Sequence, residues 1–290
     1  MSVIEVKDLK KYFGKIKAVD GVSLSVDKGE VFGFLGPNGA GKTTTIRCMM
    51  DFVRPTEGSI TLLDKNSHYD SVDIKKDVGY LAGGTRLYGK WTGQDHINFI
   101  RRTGKSKEDM TDELIKRLDF DPSRKVKTLS SGNRQKLGVI MAFMLKPKLL
   151  ILDEPTLALD PLLQHEIYQI LSEVTNNGTT VFMSSHNLAE VERVCNRAGI
   201  IRNGKIVAIE NIHSLKEKRM YTVQVFFSDV CDMNAFRLEG VEVKKEYPGG
   251  VTLKVTGDIN PLLKKLINCP VRDLEIEHAS LEEIFLESYE

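Results

Sequence analysis

Apolar and polar positions along this chain fall into two alternating rhythms. Between residues 3 and 26 the period is two, as in half-buried strands: Val3-Ile4-Glu5-Val6, then Val22-Ser23-Leu24-Ser25-Val26. Val31-Phe32-Gly33-Phe34-Leu35 is a continuous apolar run. Ile46, Met49, Met50 and Val53 follow at i, i+3, i+4 and i+7, the spacing of one helix face. The Arg54-Pro55-Thr56-Glu57-Gly58 turn leads into a strand at Ser59-Ile60-Thr61-Leu62-Leu63, and Val78-Gly79-Tyr80-Leu81 reads as a shorter one. Residues 92 to 146 read as helical. Thr92 with Asp95 makes a capping pair, Leu114 and Leu118 share a face, and Leu137, Ile140, Met141 and Met144 form a stripe suited to core packing. Leu149-Leu150-Ile151-Leu152 is wholly apolar, as in a buried parallel strand. A helix through Leu163, Ile167, Ile170, Leu171 and Val174 comes next, then a strand at Thr179 to Met183 and a short helix through Leu188 and Val191. Ile200 to Val207 is a hairpin on Asn203-Gly204. Strands alternating with helices predict an α/β fold.

The rhythm changes after Leu215-Lys216-Glu217-Lys218-Arg219, a charged linker or helix end. Tyr221, Val223, Val225 and Phe227 alternate with more polar neighbours. A second hairpin turns at Pro248-Gly249-Gly250, and Ser280-Leu281-Glu282-Glu283 is a capping box opening a final helix. The expected organisation is an α/β domain over residues 1–214, with a helical subdomain at about 85–146, and a small α+β domain over residues 215–290. A chain of 290 residues has ample core for both.

Composition narrows the function. Formal net charge is +1, without a basic run long enough to track a phosphate backbone, so nucleic acid is a poor partner. Cys48, Cys195, Cys231 and Cys269 form no C-x-x-C and read as ordinary reduced residues. No cationic segment leads into an apolar one at the N-terminus, so no signal peptide is expected. The longest apolar run, Leu137 to Leu145, stops at Lys146-Pro147-Lys148; a membrane role would need another chain to do the crossing.

The chemistry centres on Gly36-Pro37-Asn38-Gly39-Ala40-Gly41-Lys42-Thr43-Thr44. This is G-x-x-x-x-G-K-[ST] between a strand and a helix, the loop that wraps a nucleotide phosphate tail. Its glycines let successive N–H groups turn toward one anion, and the helix start adds partial positive charge. Lys42 would reach the terminal phosphates and Thr43 would sit on Mg²⁺. The strand Leu149 to Leu152 runs into Asp153-Glu154. Strand alternation would send these carboxylates to opposite faces, Asp153 to the Mg²⁺ shell and Glu154 to an attacking water. Leu129-Ser130-Ser131-Gly132-Asn133 opens the stripe helix, offering a second anion site at a helix start.

In this order the motifs resemble the ATP-binding cassette (ABC) ATPases, over about residues 2 to 212. The resemblance implies an ABC cassette of the P-loop NTPase class, with a mixed-sheet core, an antiparallel β subdomain and a helical subdomain. It implies ATP and Mg²⁺ as cofactors. Ser130, Ser131, Gly132 and Asn133 stand where the family has its signature, and Leu157-Ala158-Leu159-Asp160 resembles its D-loop, with Asp160 near the nucleotide. His186, in Ser184-Ser185-His186, is similar to the switch histidine that meets the γ-phosphate. Phe13 matches the aromatic that stacks on adenine, with Tyr12 as a substitute. The implied mechanism pairs two cassettes head to tail, a homodimer or close homologues, so that the Ser130 motif of one caps the phosphate held by Lys42 of the other. The implied partners are membrane-spanning permease subunits, and the implied location is the cytoplasmic face of the cell membrane.

One position departs from the pattern. The loop after Leu81 ordinarily supplies Gln or Glu to Mg²⁺, and here carries Gly83 and Gly84. Water would take that place, with slower or less tightly coupled hydrolysis. The tail, closing on Ala279 to Leu286, resembles the C-terminal extension of bacterial exporter cassettes, including drug and sodium extruders. The alternatives are a soluble cassette ATPase, which would carry a coiled-coil insertion or a second cassette, and a regulatory cassette with weak turnover.

Overall fold

The structure is a computed structural model. It describes residues 1–84, 86–104, 106, 108–217, 220–229, 231, 236 and 238–278. These fall into two compact units, divided between Glu210 and Asn211.

The first unit opens with two long strands, β1 (Ser2–Phe13) and β2 (Ile16–Asp27). They pair antiparallel, with Ile4 opposite Val26 and Val6 opposite Leu24. β3 (Val31–Leu35) is buried at every residue and feeds the glycine loop and α1 (Lys42–Met49). β4 (Glu57–Leu62), β5 (Lys65–Asn66), α2 (Ser71–Lys75) and β6 (Val78–Leu81) follow. Then come α3 (Gly93–Thr103), α4 (Thr111–Arg117) and α5 (Ser131–Phe143). The unit closes with β7 (Leu149–Asp153), α6 (Pro161–Asn176), β8 (Thr180–Ser185), α7 (Leu188–Val194), β9 (Arg197–Arg202) and β10 (Lys205–Asn211).

Two sheets result. One has the order β2-β1-β4-β5 and the other β10-β9-β3-β8-β7-β6. In the larger sheet β3 runs parallel to β8 and β9, and β7 runs parallel to β8 and β6. A strand flanked on both sides and covered on both faces has no place for polar side chains, which is why β3 and β7 read as unbroken apolar runs. Phe182 stacks on Phe32 and tilts against Phe34, with ring centroids 5.8 and 5.4 Å apart.

One helical expectation is corrected. The helix after the glycine loop ends at Met49, so Val53 lies beyond it. Asp51 takes a left-handed backbone (φ 52°), and the Phe52 and Val53 N–H groups both donate to the Arg47 carbonyl, closing the helix end. Residues 92–146 are helical as expected, in three α-helices. α3 begins at the expected Thr92–Asp95 capping box, with both reciprocal hydrogen bonds present.

The second unit begins with α8 (Ile212–Glu217) and contains β11 (Met220–Phe227), β12 (Val241–Tyr247), β13 (Gly250–Thr256), α9 (Asn260–Leu266) and β14 (Val271–His278). Its sheet order is β12-β13-β11-β14, and its core is built from Val223, Val225, Phe227, Phe236, Val251, Leu253, Leu262 and neighbours. β14 escapes sequence reading because it is a charged edge strand. Only its Leu274 and Ile276 face Val225 and Val223 in register, while Arg272, Asp273, Glu275 and Glu277 are exposed. Cys231 and Cys269, far apart in sequence, bring their sulfurs to 2.6 Å, whereas Cys48 and Cys195 are buried in the first unit. The expected closing helix at residues 280–286, and Lys218-Arg219, lie outside the described residues.

Among the described residues no helix is long and apolar enough to cross a membrane.

Candidate functional site

The glycine loop is shaped by contacts that leave no room for side chains. A Cβ on Gly36 would fall 2.4 Å from the Ile201 carbonyl, and one on Gly41, whose φ is 113°, would fall 2.5 Å from the Ala18 carbonyl. No side chain caps α1, and its first residues Lys42, Thr43 and Thr44 line a cavity of about 480 Å³. An uncapped helix start leaves N–H groups for an anion.

Three further features converge on this cavity. Lys42 is almost fully buried, at 6% exposure. Its Nζ donates to the Gly36 carbonyl at 2.6 Å and the Pro37 carbonyl at 3.3 Å, and lies 3.4 Å from Glu154 Oε1. The ammonium is thus folded into its own loop, and an incoming phosphate competes with these acceptors for it. Next, Thr43 Oγ1 donates to Asp153 Oδ2 at 2.8 Å, while Ser184 Oγ donates to Oδ1 at 2.5 Å. Two hard oxygens, a hydroxyl and a carboxylate, therefore meet at the cavity wall. Their chemistry suits Mg²⁺, which takes one or two protein oxygens and fills its remaining shell with phosphate and water. No group of three or more His, Cys, Asp or Glu side chains able to hold a metal occurs among the described residues. Finally, His186 Nδ1 sits 2.6 Å from Glu154 Oε2.

The expected placing of the two carboxylates on opposite faces is corrected: Asp153 and Glu154 line the same cavity, with different partners. β7 ends at Asp153, and Glu154 has a left-handed backbone with φ 55°. That conformation costs a residue with a Cβ about 1–3 kcal/mol and persists only where the surroundings enforce it. Here the Glu154 N–H donates to Ser184 Oγ, and Gln135 Nε2 donates to the Glu154 and Pro155 carbonyls at 3.0 and 2.9 Å. Gln135 is buried on α5, so the helix that opens at Ser130 also holds the turn carrying Glu154. Nothing local marks Gln135 or Ser184 for this role; only the fold brings them to the turn.

The remaining residues singled out from the sequence divide between this cavity and other places. Pro37, Asn38, Gly39 and Gly83 line the same cavity, whereas Ser130, Ser131, Gly132, Asn133, Asp160 and Phe13 do not. Ala40 is buried behind the loop, and its carbonyl accepts from the Gly204 N–H. Ser130 caps α5 by accepting from the Asn133 N–H, and both Ser130 and Ser131 are exposed. Asp160 caps α6 by accepting from the Leu162 and Leu163 N–H groups. Phe13, half exposed at the end of β1, has the Lys11 ammonium 5.0 Å from its ring centroid. The Tyr12 hydroxyl is committed to Asp20 Oδ1 at 2.5 Å, a bond that pulls the Asp20 carboxyl below its ordinary range. Ala18 and Leu157, which sequence reasoning did not single out for the nucleotide, also line the cavity.

Comparison with known proteins gives the following. Residues 19–157 match the family model described as ABC transporter. The uncharacterized ABC transporter ATP-binding protein YhaQ of Bacillus subtilis (strain 168) is 33% identical, over 98% of this chain and 98% of its own length. The bacitracin transport ATP-binding protein BcrA of Enterococcus faecalis is 36% identical, over 76% of this chain and 73% of its own. Among solved structures, one described as an ATP-binding subunit of an ABC transporter aligns with a TM-score of 0.69 at 28% identity, over 74% of this chain and 92% of that one.

Proposed function

The chain belongs to the family of ABC transporter ATP-binding proteins, and from that premise we propose that it hydrolyses ATP to drive export through separate membrane-spanning subunits. One observation carries the reading. A single cavity gathers the glycine loop with Lys42, the Thr43–Asp153 oxygen pair, and the Glu154–His186 pair. Phosphate binding, metal binding and water activation thus have adjacent places on one wall. Coupling to transport is supported by the likeness to BcrA, whose name describes bacitracin transport, and export is proposed from the resemblance of the tail to exporter cassettes.

In this reading the loop N–H groups and Lys42 take up the triphosphate, which draws Nζ off the Gly36 and Pro37 carbonyls. Thr43 and Asp153 would hold Mg²⁺, which would supply positive charge beside the phosphates. Glu154 orients a water and accepts its proton. His186, bonded to the same carboxylate, keeps that side chain in place and reaches toward the terminal phosphate. Phe13 meets the adenine ring. Ser130 to Asn133, away from this cavity and with Ser130 and Ser131 exposed, serve the nucleotide of a second cassette. The pair works at the cytoplasmic face of the membrane, bound to its permease.

The test is Glu154→Gln. It should bind Mg-ATP as the parent does, lose turnover by about 100-fold or more, and run as a dimer on gel filtration with Mg-ATP. Parent-rate hydrolysis by this variant removes Glu154 as the base.

A further inference from the structure

Glu190 takes no part in the chemistry above, yet it is a carboxyl with only 4% exposure in the first turn of α7. Both of its oxygens are engaged. Thr156 Oγ1 donates to Oε1 at 2.7 Å and Ser185 Oγ donates to Oε2 at 2.5 Å. Both donors are buried as well. Burial pushes the Glu190 carboxyl up, and the two hydroxyls oppose that push. An apolar side chain would fill this space without the cost of burying a carboxyl, so packing alone does not account for a glutamate here.

The two donors occupy special places. Thr156 lies two residues after Glu154, in the turn whose left-handed Glu154 and Ala158 bracket it. Ser185 is the last residue of β8 and directly precedes His186. The Asn187 N–H donates back to Ser185 Oγ at 2.9 Å, so the residues on both sides of His186 are tied to the same hydroxyl. The carboxyl of Glu190 therefore bridges the segment carrying Glu154 and the segment carrying His186, on the buried side of their mutual contact.

We propose that Glu190 is a positioning residue, whose bridge from Thr156 to Ser185 sets the spacing of Glu154 and His186 and so maintains the 2.6 Å contact between them. This rests on the reading of Glu154 and His186 as the hydrolytic pair. Glu190 touches neither nucleotide nor water in this role; it acts through the two backbone segments it joins.

The experiment compares Glu190→Ala with Glu190→Gln in the full chain, with Mg-ATP as substrate. The alanine variant should lose kcat roughly tenfold, the scale expected when catalytic groups shift by a fraction of an ångström. Its ATP affinity should stay within about twofold of the parent. The ring ¹⁵N resonances of His186 should move, a signal that loss of stability elsewhere would leave in place. Glutamine can accept from one hydroxyl and donate to the other, so Glu190→Gln should recover most of the turnover and the parent resonances. A folded alanine variant with parent kcat and unmoved His186 signals overturns the proposal. So does a loss confined to ATP affinity, or a glutamine variant as impaired as alanine. If the alanine variant does not fold, Thr156→Val removes one arm of the bridge. It should lower kcat several-fold and move the His186 signals, and parent behaviour in both overturns the proposal. Should the parent itself release no phosphate, the hydrolytic reading fails, and the His186 resonances still decide whether Glu190 holds the contact.

Discussion

A methyl group placed on Gly83 would lie 2.6 Å from Oδ2 of Asp153, the same oxygen that accepts from Thr43. The carboxylate has little freedom to retreat, because Ser184 grips its other oxygen and the residue is 1% exposed. A glutamine at position 83 would therefore crowd Asp153, the proposed metal ligand, rather than add a second one. Gly83→Gln and Gly83→Ala should both lower turnover, by roughly tenfold, measured as phosphate release at saturating Mg-ATP. A faster Gly83→Gln enzyme would show that the loop opens to admit the side chain.

In its proposed phosphate role Lys42 would give up three nearby oxygens. Lys42→Ala should weaken ATP binding about 100-fold, ~2.7 kcal/mol, read by titration calorimetry with the nucleotide. Unchanged affinity would disconnect the glycine loop from the phosphates.

Arg117 fastens α4 to α6. Its guanidinium donates to Glu113 on its own helix and to Glu166 and Glu173 across the gap. Exposed ion pairs contribute little each, but this cation is only 19% exposed and shared by three carboxylates. Arg117→Ala should cost about 1–2 kcal/mol in urea unfolding, less in 1 M salt. Arg117 holds the Glu173 carboxyl below its ordinary value of 4.5. A depressed carboxyl stabilises the fold above its unfolded value and loses that contribution as pH falls through the folded one. The penalty of Arg117→Ala should therefore shrink below about pH 4.5.

The buried Glu190 has the opposite sign. Burial raises its carboxyl above 4.5, with Glu154 adding to the rise and His186 opposing it; Tyr168 and Cys195 also face it. A raised carboxyl contributes its full stability below 4.5 and loses it as pH rises through the folded value. Glu190→Gln should thus melt above the parent at pH 8, with the gap closing toward pH 4.5, as checked by thermal scans across that range.

How much of this was legible in the sequence varies with range. The glycine loop was fully legible because strand, turn and helix start are contiguous: Leu35, Gly36 to Gly41 and Lys42 adjoin in sequence as in space. The strand ending at Asp153 was legible because a strand covered on both faces must be apolar throughout. The way Glu154 joins Asp153 at one cavity was not, since it comes from a left-handed turn held by Ser184 and Gln135, residues 30 and 19 positions away. Glu190 was invisible for the same reason, as its partners lie 34 and 5 residues off. Edge strands such as β14, with one weakly buried face, carry too little apolar contrast to stand out.

The Ala40 carbonyl accepts from Gly204, the Gly204 carbonyl accepts from Asp20, and Asp20 holds the hydroxyl of Tyr12, next to Phe13. The cradle and the Tyr12–Phe13 end of β1 are joined by this relay of two backbone bonds and one side-chain bond. With Phe13 as the neighbour of the base, as proposed, the protein behaves as a gauge: a molecule seated by its tail must reach the aromatic ring across a span that these three bonds maintain. Triphosphates whose ring sits nearer to or farther from the first phosphorus than in a nucleoside should then be sorted out by length before any contact with the ring's edge is made.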